Sequence, residues 1–145
     1  MMIFIALVIV QFGAGRLYAQ DDIRDKIEKV KLEKMVKKMD LDESTAASFK
    51  DRYKLFSKTL RELNQKRAKT YLLMTQNIEG GSGLDSLVDQ LITIESDIYQ
   101  QRLSFVSDLK AMLSAKQLAI MIVFERKFNT ELKKLLKEYR KENGN

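Results

Sequence analysis

From Asp22 onward, apolar residues recur at steps of three and four, and no stretch alternates with a period of two between turn residues. The pattern predicts an all-α protein. Ile23, Ile27, Val30, Leu32, Met35, Val36 and Met39 set a first helix over about residues 22–39, with lysines and glutamates filling its other face. "DLDES", Asp40 to Ser44, is a cluster of helix-starting residues that closes the first helix. Phe49, Tyr53, Phe56, Leu60, Leu63, Tyr71, Met74 and Ile78 then set a second helix over about 43–78. At 1.5 Å per residue it would be roughly 50 Å long.

"EGGSG", Glu79 to Gly83, is the glycine-rich break of the chain beyond residue 20 and predicts a turn between two long antiparallel helices. The third helix, about 84–112, carries one stripe at Leu84, Leu87, Leu91, Ile94, Ile98, Phe105, Leu109 and Met112, and a second at Val88, Ile92, Tyr99, Leu103 and Val106. Two stripes predict cover from two directions. A fourth helix opens in "AMLSAKQLAIMIVFERKF", Ala111 to Phe128, and continues through Leu132, Leu135 and Tyr139 into a charged tail. All seven residues from Leu118 to Phe124 are apolar and surround that helix for nearly two turns, so a second chain is expected to cover part of them.

The start of the fourth helix has its own logic. With Ser114 at the N-cap, Gln117 falls at N3 and forms a capping box, while Leu113 and Leu118 stand at the positions of a hydrophobic staple. A fainter copy, Leu41, Asp42 and Thr45, opens the second helix, and the register persists in the pairs Phe56 with Phe128, Leu60 with Leu132, and Leu63 with Leu135. The chain reads as two related helical hairpins.

The 145 residues allow one domain of modest core. The first ten, "MMIFIALVIV", are apolar but too few to span a bilayer as a helix, and "GAGRLYAQ" follows with small residues and Ala19 before the polar switch. Residues 1–19 therefore read as a secretory signal peptide cleaved after Ala19, leaving a single helical domain over 20–145. The net charge of +6 becomes +5 once Arg16 is removed with the leader. A basic balance attracts acidic segments and anionic lipid; it also simply keeps a small protein soluble.

With no cysteine, stability must come from packing; with no histidine, the commonest metal ligand and acid-base group is missing. Acids such as Asp40, Asp42 and Glu43 cluster where helix starts favour negative charge, and no cysteine or histidine is available to pair with the serines. We expect no catalysis and no cofactor. Met35 and Met39 form a pair with soft-metal ligand spacing, but both continue the apolar stripe, so they read as core and no metal site is expected.

The second helix carries Lys50, Lys54, Lys58, Arg61 and Lys69 within about a quarter to a third of a turn, well away from its aromatic stripe. This basic rib reads either as a solvated face or as the border of a client-binding surface. Leu55, Leu72 and Leu73 lie off the main stripe and would supply its apolar part, unless a protomer or dimer core claims them. Nucleic acid is set aside, because no recognition motif accompanies the charge and the leader directs the chain elsewhere. The lysine-rich, amphipathic first helix keeps membrane-surface binding as a lesser alternative.

An exported, basic, cysteine-free, all-helical chain with two Leu-Thr-x-x-Gln-like boxes, "LDEST" and "LSAKQ", each opening a long helix, resembles the Spy/CpxP family of periplasmic proteins. The second box differs from the family pattern by serine for threonine; the first keeps Leu41 but has Asp42 and Thr45 at the two polar positions. The likeness extends over about 33–139. It implies four long helices in two hairpins, pairing into a thin, curved, cradle-like homodimer in the periplasm. It further implies an ATP-independent chaperone for unfolded or misfolded clients, or alternatively a regulator that docks on a sensor kinase's periplasmic domain, with or without metal.

Overall fold

The computed structural model describes residues 18–143, and among them the only regular elements are four α-helices. We label them α1 (Tyr18–Met39), α2 (Glu43–Asn77), α3 (Leu84–Lys110) and α4 (Ala115–Asn143). The leader expected over residues 1–19 lies outside the described residues except for its last two. α1 thus begins four residues before the periodicity suggested, while the other three helices begin where it placed them. No helix of the described residues is long and apolar enough to cross a membrane.

The described residues divide into two compact units, Asp42–Leu118 and a second that joins those up to Leu41 to those from Ala119 onward. The first is therefore the α2–α3 hairpin, and the second groups α1 with most of α4 from opposite ends of the chain. This differs from the expected pair of repeated hairpins. The repeat describes how α2 and α4 start, and burial of the faces decides which helices share a unit.

In the hairpin, Phe49, Tyr53 and Leu63 of α2 and Ile98, Phe105 and Leu109 of α3 are buried. Their aromatic members form a connected series. Phe56 stacks flat on Phe105 with centroids 4.0 Å apart, and Tyr53 meets the same ring edge-on at 6.0 Å. The turn depends on Gly81 and Gly83, whose φ angles of 67° and 72° are left-handed and favour a residue without Cβ.

In the other unit, Leu32, Met35 and Met39 of α1 and Met121 and Phe128 of α4 are buried. Met35 is 0% exposed and Met39 2%, so this pair fills core space. α1 ends in a Schellman motif: the Leu41 amide donates to the Val36 carbonyl at 3.4 Å and the Asp40 amide to that of Lys37 at 3.3 Å. Asp40 takes the left-handed position usually given to glycine, at φ 53°.

Candidate functional site

The two boxes are helix-starting devices, and they work differently. At the start of α4 the Ser114 amide donates to Gln117 Oε1 at 2.9 Å, and the Gln117 amide donates to Ser114 Oγ at 3.2 Å. That is a reciprocal capping box, with Leu113 and Leu118 both buried. At the start of α2 the Thr45 amide donates to Asp42 Oδ1 at 2.9 Å, and the Thr45 hydroxyl donates to Oδ2 at 2.7 Å. Threonine is too short to reach back to the N-cap amide, so both bonds converge on the carboxylate. The amide first, and the hydroxyl second, hold the Asp42 carboxyl below the usual carboxylate range. Leu41 is half-buried. All seven box residues are thus engaged in folding.

The basic rib of α2 lies on its solvent side. Lys54, Lys58 and Lys69 are exposed, whereas Lys50 and Arg61 are half-buried. Leu55 is 68% exposed and Leu72 57%, so the protomer core claims neither; Leu73 is half-buried.

Two ion pairs define the sides of that hairpin: Arg52 with Asp108 at 3.4 Å, and Arg67 with Glu95 at 3.1 Å. In an antiparallel pair, positions rotated in the same sense from the two contact lines lie on the same side. At about 100° per residue, Lys50, Lys54 and Arg61 fall on the side opposite Arg52. Lys58 and Leu72 point directly away from α3, and Leu55 and Lys69 turn toward the Arg52 side. The seven candidates therefore lie on the outer surface of α2, the five cations within about a third of a turn.

The larger apolar surface is on α3. Val88, Ile92, Tyr99 and Leu103 are 41%, 63%, 59% and 48% exposed. These residues belong to the second stripe, whose expected cover is not supplied within the protomer: one stripe meets α2 and the other meets solvent. By the same rotation the exposed stripe lies on the side opposite Asp108, which is the side of Lys50, Lys54 and Arg61. Cations of α2 and an apolar line of α3 thus share one side of the hairpin. Periodicity had located the α3 stripe, but its solvent exposure depends on how many neighbours α3 has.

On α4, Met121 and Leu118 are buried, while Ile122 and Val123 are 53% and 52% exposed. The seven-residue apolar run is therefore covered on one side only. Among the described residues, no group of three or more His, Cys, Asp or Glu side chains is arranged to hold a metal ion.

No protein-family model, curated protein or solved structure matches the chain.

Proposed function

We propose that the protein is an ATP-independent periplasmic chaperone, similar in kind to the Spy/CpxP proteins, that shields unfolded or aggregation-prone segments. The observation that carries this reading is the open line Val88, Ile92, Tyr99 and Leu103 on the same side of the hairpin as Lys50, Lys54 and Arg61. Lysines draw acidic segments of an unfolded chain from a distance. Once there, apolar side chains of the client lose water against the α3 stripe, at about 25 cal/mol per Å² of apolar surface covered. Shallow, partly exposed side chains bind weakly one by one. Weak contacts are what release without nucleotide requires.

The reading includes a homodimer shaped as a curved cradle, with Ile122 and Val123 of α4 supplying the protomer's share of the dimer contact. Export rests on the apolar leader and Ala19.

The test is light scattering from a client diluted out of denaturant in the presence of the protein. Suppression at stoichiometric amounts, weakened when Ile92→Ser and Leu103→Ser are combined, is expected. No suppression with any of several unrelated clients overturns the reading. Recovery from periplasmic extract of a single sensor-kinase domain, instead of many unfolded chains, would replace it with the regulatory alternative.

A further inference from the structure

The last turns of α4 are built unlike the rest of the helix. Lys133, Leu136, Lys137, Arg140 and Lys141 line one shallow, open groove. The cations frame Leu136, which is 38% exposed. At about 100° per residue, Lys133, Lys137, Arg140 and Lys141 occupy one flank of the helix. Glu131, Glu138 and Glu142 gather on the other, with the apolar arc of Leu132, Leu135, Leu136 and Tyr139 between. Among the described residues, none of the four cations lining the groove has an ion-pair partner. Four unneutralised cations are thus held together beside an exposed leucine.

We infer that this segment is an adhesion site for an anionic phospholipid surface. The charge distribution suits an extended array of phosphates, which receives all four cations at once without any having to be enclosed. The groove is an open trough along one helix, so it cannot surround a small anion. Leu136 decides between a bilayer and a soluble polyanion. A polyanion would engage the cations and leave the leucine wet, whereas a bilayer buries it among acyl chains while the lysine stems run back to the headgroups.

Lys38 stands over the Phe124 ring and Lys31 over the Phe128 ring, so α1 and α4 run antiparallel. The basic end of α4 therefore lies toward the start of α1. The proposal is independent of chaperoning, since it uses neither the α2 cations nor the α3 stripe.

Cosedimentation of the purified protein with phosphatidylglycerol-containing vesicles, against pure phosphatidylcholine vesicles, tests it. Binding to the anionic vesicles is expected to fall with rising salt and to drop about fivefold per cation in Lys133→Ser and Lys137→Ser. Leu136→Ser should weaken vesicle binding several-fold while leaving binding to heparin unchanged. Lys54→Ser with Lys58→Ser should change vesicle binding little. Equal binding to both vesicle types overturns the inference. So does an equal loss from the α2 variant, which would reduce the effect to net charge, or indifference to Leu136→Ser, which would assign the site to soluble polyanions.

Discussion

Lys31 of α1 donates to Glu125 of α4 across 2.8 Å, with Asn129 Oδ1 at 3.3 Å and the Phe128 ring 5.8 Å from the ammonium. The lysine side chain is 11% exposed and the glutamate 30%, so the two ends of this bond differ in their access to water. That asymmetry makes a sharp prediction. Glu125→Leu removes the carboxylate to which this largely buried ammonium donates and should cost about 3 kcal/mol in urea unfolding. Lys31→Met leaves a glutamate that water can reach, and should be close to neutral. Equal losses from the two variants would mean that the pair is held by its surroundings rather than by charge.

The flat stack of Phe56 on Phe105 is the centre of the α2–α3 contact. Phe105 is 7% exposed, and Phe105→Ala removes both the ring burial and the stacking, for about 3–5 kcal/mol. Phe56, half-buried, should lose less on the same change. Chemical denaturation of both variants ranks them.

Asp40 holds the left-handed C-terminal position of α1 at φ 53°. A glycine there adopts that conformation without the Cβ penalty. Asp40→Gly should therefore raise stability by about 0.5–1 kcal/mol, read as a higher urea midpoint at unchanged slope. A lower midpoint would show that the aspartate side chain contributes more than its backbone strain costs.

The two caps should separate by pH. Ser114→Ala removes an uncharged cap and should cost about 1 kcal/mol at any pH. Asp42 is titratable, and its folded-state pKa is lowered by the Thr45 amide and hydroxyl. A carboxyl depressed on folding contributes its stability above its unfolded value, about 4, and loses that contribution as pH falls through the folded value. Asp42→Asn should flatten this acid limb and leave the Ser114→Ala difference unchanged. An unaltered acid limb would show that other carboxylates set it.

Ile122 and Val123 test self-association. Sedimentation equilibrium should show a dimer at micromolar concentration, and Val123→Asp should shift it toward monomer without altering the helical circular dichroism. A wild-type protein that sediments as monomer would leave this apolar face without its assigned partner.

Helix starts were the most legible feature of the sequence, because a cap acts between residues three apart. Ser114 with Gln117 and Asp42 with Thr45 bond as their spacing dictates. The candidate surface was legible only in part. Lys54, Lys58, Leu55 and Leu72 are exposed as an off-stripe position suggests, but only the hairpin shows which of the cations share a side with the α3 stripe. The second α3 stripe is visible as a period, and two stripes predict cover from two directions. Period gives the direction of a side chain and says nothing about what stands opposite.

By itself, then, the sequence determined the helices, the starts of the last three and the positions that face one way. These follow from local forces, 3.6-residue periodicity, caps and glycine turns, which act within a few residues along the chain. Tertiary structure decided which faces meet. It placed α2 on α3 through Phe56 and Phe105, brought Lys31 to Glu125 from opposite ends of the chain, and left Val88, Ile92, Tyr99 and Leu103 open to solvent. Burial depends on how many apolar faces compete for one another in space, and that number is not written in any single helix.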